Sequence, residues 1–154
     1  MFIYKNNNNS IENNGSRANT NVTYITKSAK YKNNIRVELF RKWSNTGTSI
    51  AVIGNFPSTA NAETDDRTIF RIYKILDYNG FTQFTMYNAM VPIPEISDMV
   101  VVVCWGNALC LKKGREVLKK LRDTGKHIVC FGVNKNGSPK MPTRLAYNTQ
   151  ITNY

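Results

Sequence analysis

The chain is poor in the residues from which most metal and acid–base sites are built. It has one histidine, His127, and three cysteines with no C-x-x-C spacing. Zinc, iron–sulfur and dithiol chemistries need clustered Cys and His, so the composition points away from a metal or a cofactor. Cys104, Cys110 and Cys130 each stand in an apolar stretch and are expected to be reduced core thiols. No apolar run reaches the roughly eighteen residues of a membrane helix. Met1-Phe2-Ile3-Tyr4-Lys5 gives way to asparagines where a signal peptide would stay apolar. The expectation is a soluble, cytoplasmic protein that does not engage membranes.

Acidic residues are scarce too, 10 against 21 Lys and Arg, for a formal net charge of +11. That excess favours a polyanionic partner, either nucleic acid or a small nucleotide. It would equally keep an Asn- and Lys-rich chain in solution. With 154 residues and 42% hydrophobic content, the chain has material for one core.

Residues 1–22 are Asn-rich and lack apolar periodicity, which predicts a disordered arm ahead of one α/β domain over 23–154. Val22-Thr23-Tyr24-Ile25 and Ile35–Phe40 read as an antiparallel hairpin turning between Lys30 and Asn34. Four further strands follow, at Ser49–Gly54, Phe81–Asn88, Met99–Cys104 and His127–Val133. Ile69, Ile72, Tyr73 and Leu76 recur at helical spacing, with Asp65 or Asp66 as the cap and Asn79-Gly80 as the stop. A second helix carries Cys110, Gly114, Val117, Leu118 and Leu121 on one side. Lys112, Lys113, Arg115, Lys119, Lys120 and Arg122 fill the other, as a solvated face or a nucleic-acid surface. Alternating strands and helices predict a small, mainly parallel four-stranded sheet with flanking helices and the N-terminal antiparallel hairpin.

In such sheets ligands bind beyond the carboxyl ends of the strands. Asn55, Asn88, Asn107 and Asn134 each follow or end one of the four, and together they would form a hydrogen-bonding pocket, or else simply cap loops. Ser58 and Thr59, ahead of a helix start, suit a phosphate. Ser58 as a nucleophile lacks a nearby base, and Glu63, Asp65 and Asp66 read better as helix-capping residues than as metal ligands. The candidate ligand-binding residues are Asn55, Pro57, Ser58, Thr59, Asp66, Arg71, Asn88, Trp105, Asn107 and Lys135, with no catalytic or metal-binding residue among them. Trp105 is a stacking surface or a core residue, and Arg36 and Arg41 either reach the site from the hairpin or face water.

The segment Gly54-Asn55-Phe56-Pro57-Ser58-Thr59-Ala60-Asn61, followed by Asp65-Asp66-Arg67-Thr68, resembles the N-P-S-T-A-D and D-D-x-T signature of an uncharacterised bacterial and phage family, the domain of unknown function 1643 family. Arg36, Leu39, Arg41 and Trp43 match its R-x-x-L-x-R-x-W pattern, and Trp105-Gly106 matches its W-G turn. Gly132 to Pro142 is similar to its closing motif, with Met141 in place of a histidine. The stretch from Ala89 to Cys104 is shorter than the family's usual insert, and Asn61 replaces an Asp. The likeness spans roughly residues 30 to 145. More distantly, the order of parts resembles the uracil-DNA glycosylase superfamily, which implies a fold of that kind.

The reading that follows is a protein binding, and in one version sequestering, a small anionic nucleotide or nucleotide-derived signal; the phage context of the resemblance implies a counter-defence role. Loss of the motif histidine leans against catalysis. An enzyme cutting the glycosidic bond of a nucleobase in nucleic acid is the alternative, and a nucleic-acid-binding module the third. Self-association is compatible with all three.

Overall fold

A computed structural model describes residues 22–154. The expected arm therefore lies, but for Val22, outside the described residues. Three short apolar runs build the centre of the sheet. They are β3 (Thr48–Gly54), β5 (Val100–Val103) and β6 (His127–Cys130), and with β4 (Phe81–Asn88) they lie parallel in the order β4-β3-β5-β6. Ala51, Val52, Ile53, Val101, Val102 and Val103 are fully enclosed, as strands covered on both faces require.

The sheet is larger and more mixed than the four-stranded sheet expected. β1 (Thr26–Lys32) and β2 (Ile35–Lys42) extend it antiparallel from β4, and β7 (Thr152–Asn153) pairs antiparallel with β6, giving seven strands among the described residues. The hairpin begins later than the Val22–Ile25 expected from β-branched content. Asn33 and Asn34 take positive φ of 50° and 60°, a two-residue turn that pins Lys32 opposite Ile35. The lysine-rich β1 is then the exposed edge, where charge discourages further pairing.

Alternation along the strands divides the interior. Ile50, Val52, Phe84, Met86 and Val102 face α1 (Arg67–Tyr78), which buries Ile69, Ile72, Ile75 and Leu76 against them. Ala51, Ile53, Val101, Val103 and Ile128 face α2 (Leu111–Asp123), which buries Val117, Leu118 and Leu121. The result is three layers with one helix on each face. Asp66, not Asp65, caps α1: its carboxylate accepts the Ile69 N–H at 2.9 Å. Gly80, at φ 85°, follows the helix as its left-handed stop.

After β6 the chain passes over α1. Asn79 donates to Thr149 O at 2.9 Å and accepts from Ile151 N–H at 3.2 Å, so the helix end ties down the segment leading into β7. No helix of the described residues is long and apolar enough to cross a membrane. Cys104 and Cys130 are buried free thiols, but Cys110 is exposed, because it precedes the first turn of α2 instead of joining its apolar stripe.

Burial pushes the Cys104 thiol up to about 12, and the Tyr87 phenol, also buried and near Glu38 and Asp98, up to about 12. The folded state resists both ionisations. Below the ordinary thiol value of 9.0 both states keep these protons and nothing is lost. Above it the unfolded chain ionises first, so stability should fall as pH rises from about 9 toward 12. Urea midpoints across that range check the slope. A core truncation gives the pH-independent comparison: Leu39→Ala, at a side chain with no exposure, should cost about 2–5 kcal/mol.

Candidate functional site

β3 ends in Gly54, where a side chain would crowd its neighbours. A Cβ there would stand 2.6 Å from Met86 Cε and 3.0 Å from Asn88 Oδ1. The Asn88 carboxamide therefore lies across the last residue of β3. Backbone bonds hold the two strand ends in step, Ala89 N–H to Gly54 O and Met90 N–H to Asn55 O, each 2.9 Å.

The loop leaving Gly54 is fastened by β2. Arg41, with no exposure, spends its whole guanidinium on protein. Nε meets Asp65 Oδ1 at 2.8 Å, Nη2 meets Asn61 O at 2.6 Å and Nη1 meets Phe40 O at 2.9 Å. Tyr24 donates its hydroxyl to the second Asp65 oxygen, and burial with that bond pushes the phenol up from its ordinary value. Asn61 accepts from the N–H groups of Glu63 and Thr64, both at 2.9 Å. Arg36 donates from Nη1 to Ala60 O. The spaced Arg36, Leu39, Arg41 and Trp43 are thus one inward row: two loop clamps, a core residue, and an indole that bonds Asp77 at 3.0 Å and meets the Tyr73 ring edge-on at 4.9 Å.

Five buried side-chain atoms have no hydrogen-bond partner among the described residues: Arg36 Nε and Nη2, Asn55 Oδ1, and Asn88 Nδ2 and Oδ1. Arg36 is 4% exposed and Asn88 1%. Arg36, Asn55 and Asn88 are linked through Gly54, Ala60 and the loop between them. An unpartnered buried polar atom costs about 1–3 kcal/mol, more when charged, so three such residues at one rim are a feature to be explained. Burial lowers the Arg36 pKa, with Asp66 and Tyr31 working against the shift. Sequence reasoning had the Arg36 motif in view but could not place the side chain inside.

The other expected site residues divide. Asn55, Pro57, Ser58, Thr59 and Asp66 belong to this loop, with Ser58 and Thr59 exposed and Asp66 spent on its helix cap. Phe56, 60% exposed, stands beside Asn55. Arg71 turns to the C-terminal segment, donating to Leu145 O and lying 4.9 Å from the Tyr147 ring centroid. Trp105 is 3% exposed and packs against Gly114 in the α2-side core, so no ring face is open for stacking. Asn107 accepts from Ser138, and the exposed Lys135 sits in the turn after β6. Met141 packs over Gly106, whose N–H bonds Pro139 O at 2.9 Å. The four asparagines thus make two pairs of neighbours, Asn55 with Asn88 and Asn107 with Asn134 across Ser138.

A cleft of about 610 Å³ opens on the α2 side, between residues 89–96 and that helix. Val117 and Leu121 line it with Lys113, Lys120 and Lys126, and none of the ten expected site residues contributes.

Two substitutions separate support from site. Asp65→Asn leaves Arg41 buried without its countercharge and should cost about 3–5 kcal/mol of stability in denaturant unfolding. Gly54→Ala should displace the Asn88 amide, seen as a shift of its side-chain resonance in NMR spectra.

No curated protein and no solved structure matches the chain. Residues 36–97 match the model of a family described as "Protein of unknown function (DUF1643)". The match opens on Arg36 and runs through α1 and β4 to the following loop; the Trp105-Gly106 turn and the Gly132–Pro142 motif lie outside it. Over the segment that builds the clamp, the loop and the rim, the chain is similar to that family of unknown function.

Proposed function

We propose that the protein binds a small nucleotide-like anion at the carboxyl ends of β3 and β4. The observation that carries this reading is the set of unpartnered buried atoms on Arg36, Asn55 and Asn88. A carboxamide with both donor and acceptor free suits the edge of a base or a sugar, and a buried cation suits an acid group. The net charge of +11 and the exposed hydroxyls of Ser58 and Thr59 support the same class. Holding such a ligand without transforming it would make the protein a sequestering one, in keeping with a counter-defence role. The glycosylase-like order of parts, a loop after the first parallel strand and another after the last, supports the base-reading half of the proposal by analogy.

A thermal-shift panel of nucleotides tests it. A ligand at 100 times its dissociation constant adds about 2.7 kcal/mol, roughly 5–10 °C for a chain of this size. Asn88→Ala should abolish the shift with little change in the unliganded melting temperature, since its amide has no partner to lose among the described residues. Failure of every nucleotide to raise the melting point, together with cleavage of uracil-containing DNA, would favour the hydrolase instead.

The exposed side of α2 favours a second reading, contact with a nucleic-acid backbone. Lys113 and Lys119 pair with Glu116 and Asp123 of the same helix, while Lys112, Arg115, Lys120 and Arg122 extend the basic face. A gel shift that weakens steeply between about 50 and 200 mM salt, without base release, is its signature.

A further inference from the structure

Arg36 is inside because of one extra residue. Along β1 and β2 the pairs run Thr26↔Lys42 to Lys30↔Glu38, then jump to Tyr31↔Arg36, which leaves Val37 as a bulge. Strict alternation from Arg41 and Leu39 would put Val37 on the α1 face and Arg36 on the other. The bulge reverses that parity and turns Arg36 toward Ala60.

What the guanidinium has left matters more than its burial. Nη1 is held by Ala60 O, so the pair without a partner among the described residues is Nε and Nη2. Those two N–H groups lie on one edge and point the same way, the fork that receives two oxygens of a carboxylate or phosphate in parallel bonds. Arg41, by contrast, has a protein partner on every nitrogen. Asp66, whose charge supports the protonated Arg36, has its Oδ1 committed to the Ile69 N–H.

Resting on the ligand-binding reading above, we infer that Arg36 is the anion-seating residue of this site. Its Nε–Nη2 edge takes two oxygens of a phosphate or carboxylate head group, and Asn88 reads a neighbouring group that both donates and accepts. The ligand class is a compact molecule with a terminal oxyanion beside an amide-like or base-like edge. Arg36 fixes the head group through geometry as much as charge, so lysine cannot replace it.

The test uses the full chain with three sets of probes: nucleoside 5′-monophosphates, the matching nucleosides, and malonate as a carboxylate without a base. Isothermal titration gives affinities, and the Arg36 Nε–H resonance in ¹H–¹⁵N spectra reports the fork directly without any substitution. A monophosphate or malonate should move that resonance, and the two arms tell a phosphate from a carboxylate source. Arg36→Lys and Arg36→Gln should each weaken monophosphate binding on the order of tenfold to hundredfold, the contribution of a charged hydrogen bond, and leave nucleoside binding nearly unchanged. An Arg36 resonance that stays put under a monophosphate whose binding Asn88→Ala abolishes overturns the fork and spares the site. An Arg36→Lys variant binding like the parent does the same. Absence of binding by every probe overturns both.

Discussion

The hold that β2 exerts on the chain leaving β3 governs the rest of the rim. Arg41 reaches two points of that loop, the Asn61 carbonyl and the Asp65 carboxylate, from a position with no solvent contact. An enclosed ion pair contributes little beyond what well-packed apolar residues would, but losing either partner is costly, so its effect is to allow one loop path and penalise others. With the path set, Asp66 falls where it caps α1, and the Ala60 carbonyl falls where Arg36 finds it. Helix start, loop and strand end are thereby coupled through one strand face.

Two arginines five residues apart on that strand have opposite fates. Arg41 has a protein partner on every nitrogen, whereas Arg36 keeps one edge without a partner among the described residues, in a setting where an unused charged donor is expensive. Folded domains retain such groups where a ligand completes them, and the free carboxamide of Asn88 over Gly54 belongs to the same rim. The chain gives up stability at the carboxyl ends of β3 and β4 and recovers it in the enclosed apolar residues of the strands behind them, Ile50 to Ile53 and Val101 to Val103 among them. This division suits a protein that recognises a small molecule through few, well-placed polar groups.

Much of the architecture was legible in the residues. Continuous apolar runs marked β3, β5 and β6, aromatic and β-branched content marked β4, and helical spacing marked α1 and α2, because these patterns are local consequences of burial. The turn and second strand of the hairpin were legible too, but the start of its first strand was not, and neither was β7, a two-residue pairing made by a tail from far along the chain. Arg36 illustrates the harder limit. Its burial follows from a register shift, and register is a property of two strands that neither reveals alone. Trp105 could be read two ways from sequence, and the small Gly114 beneath its ring decides for the core.

Difference density in crystals of the full chain grown with a nucleoside 5′-monophosphate bears most directly on the central claim. The account predicts an ordered ligand with two head-group oxygens within hydrogen-bond distance of Arg36 Nε and Nη2, and a polar edge against the Asn88 carboxamide. An Arg36 side chain turned out to solvent, or a ligand seated elsewhere with Arg36 and Asn88 met by water alone, would contradict it.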